Sequence, residues 1–243
     1  MPTSKTDIYP LIPDRFTFIP GKTQMNNDLK RDTEFRNDSN LTKEQKIEKY
    51  MHSAFVNPEC AGFSTLGYYK SSIDELTTSR YFQNGDGLYV KKIYDDGIYI
   101  CGCVKNCGKY LQGVFNNIQF ISAFFQKCHI VIAYDNSNDE SLTILKKIAQ
   151  EMNLPITILE GKNTSKHKVV NICNARNSIL DYIRKQQQQD QDMKQPKFKY
   201  MLIMDMDNVS ASPINMQVFH NTMKREKEWD AITFNQQDYY DIW

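Results

Sequence analysis

From about residue 97 the apolar positions of this chain fall into alternating short runs and helical stripes. Ile98 to Val104 is nearly continuous in apolar residues and reads as a buried strand. Lys109 to Phe125 follows with Leu111, Val114, Phe115, Ile118, Ile121 and Phe125 on one stripe, which predicts a helix. His129 to Ala133 predicts a second strand. Ser137-Asn138-Asp139-Glu140 has the spacing of a capping box, opening a helix to Met152 that carries Leu142, Leu145 and Ile148. Ile156 to Leu159 predicts a third strand, Val169 to Lys185 a helix, Tyr200 to Met204 a fourth strand and Ala231 to Phe234 a fifth. Strands alternating with helices predict an α/β fold with a Rossmann-like, mostly parallel sheet flanked by helices. Ligands in such folds lie at the carboxyl ends of the strands.

Residues 1–92 carry no comparable rhythm. They are polar, rich in Asn and Thr, and show only short patterned pieces: a charged helix over Leu41 to Tyr50, and a turn at Asn84-Gly85-Asp86-Gly87 that suits a hairpin. The expected organisation is an irregular N-terminal extension over 1–92 and an α/β domain over 93–243, C-terminally incomplete by the resemblance given below. The glutamine tract from Gln186 to Asp192 reads as a surface insertion.

Composition narrows the function classes. A net charge of +1 gives no global basic field for nucleic acid or an anionic membrane, and the Lys162 to Lys168 stretch reads as a solvated loop. No apolar run approaches a membrane span, and Met1 to Lys5 lacks a signal-peptide core. A soluble, cytoplasmic protein is expected (host cytoplasm or virion if the source is a virus). Six cysteines occur, at 60, 101, 103, 107, 128 and 173. Cys101, Cys103 and Cys107 lack paired metal-binding spacing and a following histidine, so packed, reduced thiols are expected rather than structural zinc.

The chemistry gathers at four predicted strand ends. Lys105-Asn106 follows the first, Tyr134-Asp135-Asn136-Ser137 the second, a loop leading to Asn174-Ala175-Arg176-Asn177 the third, and Asp205-Met206-Asp207 the fourth. In extended backbone, residues i and i+2 project to one side, so Asp205 and Asp207 can aim two carboxylates at one hard divalent cation. Two carboxylates that close repel unless a cation neutralises them. Arg176 falls near the centre of the Ile172, Ile179, Ile183 stripe, where an arginine must snorkel, pair, or point into a site beside phosphate oxygens. Asp135 is either a turn residue or a carboxylate accepting hydrogen bonds from a nucleotide's base or ribose.

Ile203-Met204-Asp205-Met206-Asp207-Asn208-Val209 also fits the first motif of haloacid-dehalogenase-type phosphatases, in which the first aspartate is the nucleophile. That motif opens its fold, with further acidic residues well downstream. Here three strand-helix units precede it and only residues 208–243 follow. The four clusters in order resemble instead the nucleotide-sugar-dependent glycosyltransferases of the GT-A fold, over about Ile98 to Trp243. The nearest likeness is to the fungal capsule-associated mannosyltransferase-like group and giant-virus glycosyltransferases, which the ending Trp229-Asp230-Ala231-Ile232-Thr233-Phe234 and Tyr239-Tyr240-Asp241-Ile242-Trp243 also resembles. The resemblance implies a metal-dependent hexosyltransferase using Mn2+ or Mg2+, with a UDP- or GDP-sugar donor and a glycan or protein hydroxyl as acceptor. It implies that Asp135 contacts the base or ribose, Arg176 the nucleotide and its phosphates, and Asp205 and Asp207 the metal and ribose side, with Asn106 and Asn136 in the same nucleotide-sugar site. It names no catalytic base; Asp238 and Asp241 are only late carboxylates. Such enzymes usually continue past the point where this chain stops, so a C-terminally incomplete domain is expected, and a non-catalytic nucleotide-sugar-binding module is the alternative.

Overall fold

The computed structural model describes residues 12–152, 154–161, 165–190 and 197–233. The chain divides into two units, Met1–Ile93 with Asn215–Lys224, and Tyr94–Ile214 with Arg225–Trp243.

In the first unit the strands are β1 (Phe16–Pro20), β2 (Lys22–Thr23), β3 (Asp28–Arg31), β4 (Gly62–Ser64), β5 (Tyr68–Lys70), β6 (Thr77–Thr78) and β7 (Gly87–Lys91), with helix α1 (Lys43–Val56) between β3 and β4. Five strands form an antiparallel sheet in the order β1-β7-β4-β5-β3. Residues that read from sequence as an irregular extension therefore carry a sheet of their own. Its core is aromatic: Tyr50, Phe63 and Tyr69 are buried beside Phe16, with Phe63 stacked on Tyr89 at 4.9 Å. Helix α1 begins in a capping box, Thr42 accepting from the Gln45 amide and Gln45 accepting from Thr42. The Asn84–Gly87 turn is present, with Gly85 at φ 83°, but no hairpin forms around it. Both sides of β7 are already taken by β1 and β4.

The second unit contains β8 (Tyr94–Val104), α2 (Gly108–Ser122), β9 (Phe125–Asp135), α3 (Ser141–Glu151), β10 (Ile156–Gly161), α4 (Lys168–Asp190) and β11 (Phe198–Ile203). α5 (Met216–Lys224) belongs to the first unit. The four strands pair in parallel in the order β10-β9-β8-β11, the α/β arrangement that the alternation predicts. Tyr99, Cys101, Val131 and Ala133 pack under Ile179 and Ile183 of α4. α2 and α3 bury Leu111, Val114, Phe115, Ile118, Leu145 and Ile148.

Four details depart from the sequence expectation. α2 ends at Ser122, and Phe125 opens β9 opposite Tyr94 instead of closing the helix. α4 runs on through Gln186–Asp190, because glutamine is a good helix former and an exposed helix end needs no apolar face. Residues 231–233 are irregular and exposed rather than a fifth strand. β11 is an edge strand among the described residues, not a buried one: Met201 and Ile203 are 46% and 56% exposed. Phe234, Asp238, the 239–243 ending, Gln191 and Asp192, and residues 162–164 of the basic stretch lie outside the described residues. No helix among the described residues is long and apolar enough to cross a membrane.

Candidate functional site

With β8 first, β9 second and β10 third, the sheet grows in one direction; β11 then returns to the far side of β8. The reversal makes the carboxyl ends of β8 and β11 the switch point, where open α/β sheets have the crevice that takes ligands. Asp205 and Asp207 stand on its β11 side, and Lys105, Asn106 and Cys107 on its β8 side.

Strand alternation decides which side chains share a face. Ile203 is level with Cys101, and Cys103 with Ala133. Two residues further on, Asp205, Lys105 and Asp135 continue the same face, the one α4 covers. Lys105 and Asp135 meet there at 2.7 Å. Asp135 is 7% exposed, and its other oxygen accepts from the Asn136 amide at 2.9 Å. The lysine side chain is 53% exposed, so water screens the pair and its stabilising value is about 1 kcal/mol or less.

The segment after β11 is turned by burial. Met204 continues the ladder, its amide donating to Cys101 O at 2.8 Å. Met204 and Met206 are buried. Met206 lies over Gly102, where an added Cβ would stand 2.4 Å from its Cγ and Sδ. The two aspartates take the alternate positions, with Asp205 exposed and Asp207 half-buried. Asp207 caps a short 3-10 turn, Asn208–Ser210, by accepting from the Val209 amide at 3.0 Å.

Arg176 is exposed rather than buried. Its stripe is correctly read, since Ile179 and Ile183 lie in the core. Arg176 sits nearer the start of α4, one residue after Ala175, which packs on the core with Cys103. Two thiols report what surrounds it. Burial pushes the Cys103 thiol up, the Arg176 guanidinium draws it back, and Asp205 pushes it further up. Burial likewise raises the Cys107 thiol; a hydrogen bond to Lys105 O opposes this, and the charges of Asp207, Asp139 and Asp205 add to it. Arg176, Asp205 and Asp207 thus act on neighbouring thiols of β8 and the loop after it.

Asn106 and Asn136 fall at the same edge. Asn106 adopts φ 54°, a left-handed conformation that asparagine tolerates, and its Oδ1 accepts from the Asn138 amide at 2.7 Å. Its own amide donates to Ser137 Oγ at 3.0 Å. Asn136 is exposed beside Asp135. Ser137 does not cap α3, because its hydroxyl is engaged by the β8–α2 loop. Asp139 does that work instead, for two helices: it accepts from Gly108 N at the start of α2 at 2.9 Å and from Ser141 N at the start of α3 at 3.0 Å. Ser141 Oγ accepts from Cys107 N at 2.9 Å. The sequence reading missed this double cap; the second helix it serves starts more than thirty residues away. Cys173, expected to be packed, is exposed, while Cys60, Cys101, Cys107 and Cys128 are buried and all six thiols are free.

The donor set suits a hard cation. Among the described residues no group of three or more His, Cys, Asp and Glu is placed to hold a metal ion, so a closed protein cage is not what these residues form. Asp205 and Asp207 supply two carboxylates, the oxygen donors that a hard divalent cation takes.

No family model matches the chain, and no curated protein matches it. Among solved structures it is similar to TarS of S. aureus. Residues 1–349 of that protein align at 18% identity and a TM-score of 0.34, over 54% of this chain and 32% of that one. The same fragment in complex with UDP aligns at 18% identity and 0.36, over 54% and 32%, and in complex with UDP-GlcNAc at 18% identity and 0.34, over 54% and 31%. The chain spans about a third of the length of these fragments.

Proposed function

We propose that this chain binds a nucleoside-diphosphate sugar at the carboxyl edge of the β8–β11 crevice and forms the donor half of a glycosyltransferase, moving a hexosyl group to a hydroxyl acceptor. One observation carries the reading: Asp205 and Asp207 follow β11 at the topological switch point, with the Lys105–Asp135 pair at the neighbouring strand ends and Arg176 near the start of the helix over that face. β9 and β11 are two strand spacings apart, about 10 Å. That distance suits a nucleoside bound near Asp135 whose diphosphate reaches Asp205. The order of the motifs supports the glycosyltransferase reading over the phosphatase one, since β11 follows three strand-helix units. The likeness to the fungal capsule-associated and giant-virus groups rests on those sequence motifs.

Asp205 and Asp207 would hold Mn2+ or Mg2+, which neutralises the diphosphate and makes it a better leaving group. The protein's own part is placement. Asp135 offers fixed acceptors to the base or ribose, and Lys105 keeps that carboxylate compatible with a nearby phosphate charge. Arg176 offers a planar donor fork to phosphate oxygens. Loss of such a charge-assisted contact costs about 1.5–3 kcal/mol, so Arg176→Ala is expected to weaken UDP binding by roughly ten- to hundredfold. Because Arg176 is exposed, its melting temperature without ligand should stay put. Isothermal titration beside a thermal melt checks both halves.

Screening UDP- and GDP-sugars for hydrolysis with Mn2+ tests the transferase assignment. Slow, metal-dependent release of the nucleoside diphosphate from one donor is expected. Tight binding of donors with no hydrolysis at all would leave a nucleotide-sugar-binding module in its place.

A further inference from the structure

The chain that carries Asp205 and Asp207 is held by α2. Asn117, 5% exposed in the core-facing stripe of that helix, donates from Nδ2 to two backbone carbonyls, Ser210 O at 2.8 Å and Ser212 O at 2.7 Å. One turn earlier, Gly113 lets the backbone between them come close: a Cβ at Gly113 would stand 2.6 Å from Ala211 O. Gly113 and Asn117 share a helix face at i and i+4. Together they form a notch for residues 210–212 and a clamp for its carbonyls. The segment is therefore fixed at three points: Met204 N on Cys101 O, Met206 over Gly102, and Ser210 and Ser212 on Asn117. Asp205 lies between the first two points and Asp207 between the last two.

An amide in an apolar helix stripe is costly unless both its donors are used, and here both are used on one distant turn. From this geometry we infer that Asn117, seated beside Gly113, is a positioning residue for the Asp205–Asp207 pair: it sets the separation of the two carboxylates and hence the affinity for a divalent cation. This rests on the metal reading given above. Two rigid ligands on a floating loop would have to be ordered by the cation itself, and groups that orient metal ligands typically govern affinity by about ten- to hundredfold.

The test uses Asn117→Asp, which keeps the shape and removes both donors, and Gly113→Ala, which closes the notch. Hydrogen exchange without ligand reads the clamp itself, and amides from Val209 to Ser212 are expected to exchange faster in both variants. Mn2+ titrated at saturating UDP, followed by electron paramagnetic resonance, reads the metal. Its affinity is expected to fall about ten- to hundredfold, while UDP binding in EDTA equals that of the wild-type chain. Asn117→Gln, which restores a donor, is expected to recover part of the loss. Faster exchange with unchanged Mn2+ affinity, or unchanged exchange in Asn117→Asp, overturns the inference. If the wild-type chain binds no Mn2+ with UDP or with GDP, the metal reading fails first and takes this inference with it. Wild-type binding that survives intact in both variants defeats this inference only.

Discussion

Replacing Asp205 and Asp207 together with alanine is expected to abolish the effect of Mn2+ on nucleotide binding while leaving the fold in place. The wild-type chain should gain thermal stability when UDP or GDP is added with Mn2+, since a ligand at a hundred times its Kd stabilises by about 2.7 kcal/mol. In the double variant that gain should vanish at every Mn2+ concentration. The melting temperature without ligand should hardly move. Asp205 is exposed and makes no part of the core, and Asp207 gives up one cap to a short 3-10 turn, a loss of about 1 kcal/mol. Removing two neighbouring negative charges also relieves their repulsion when no cation is bound. A slightly more stable but metal-blind protein would fit the account, whereas a metal response that persisted would place the cation elsewhere.

The second large effect is structural. Gly102→Ala places a Cβ 2.4 Å from Met206 Cγ and Sδ and 2.9 Å from Met204 O. The thioether can swing only at its far end, and the carbonyl is backbone of the residue whose amide is held on Cys101 O. Overpacking of this kind costs about 1–3 kcal/mol, and for a unit of this size each kcal/mol lowers the melting temperature by about 2–4 °C. The strain falls on the residues either side of Asp205, so Mn2+ affinity should drop as well. Combining Gly102→Ala with Met206→Ala vacates the space the Cβ needs, and the double variant should be more stable than the sum of the single losses predicts. Contacting residues depart from additivity by about 0.5–3 kcal/mol, which chemical denaturation resolves. Simple additivity would mean that Met206 does not rest on Gly102.

Much of this site is legible along the chain because it is local. The run from Ile98 to Val104 and the stripe through Leu111, Val114 and Ile118 follow from the periods of strand and helix. The alternation of buried Met204 and Met206 with the less buried Asp205 and Asp207 follows from the same period. What could not be read is set by partners far away. β11 is apolar at nearly every position and looks central, yet it pairs only with β8 among the described residues, and a strand's own sequence does not say how many neighbours it has. Arg176 has the pattern of a core position, yet it is exposed while its neighbour Ala175 packs on the sheet. In the first unit Phe16–Pro20 pairs with Gly87–Lys91 across most of its length, so no local rhythm announces that sheet. Asn117 reads as a blemish in an apolar stripe. Its meaning lies in two carbonyls that reach it through the fold.

The central claim is that the two aspartates join a cation to a nucleoside diphosphate at the β8–β11 crevice. Titrating UDP, and separately GDP, into the wild-type chain by calorimetry, once with Mn2+ and once with EDTA, tests it most directly. One of the two nucleotides should bind with Mn2+ and lose at least tenfold in affinity, about 1.4 kcal/mol, when the metal is removed. Equal binding in EDTA, or no binding of either nucleotide with Mn2+ present, would contradict it.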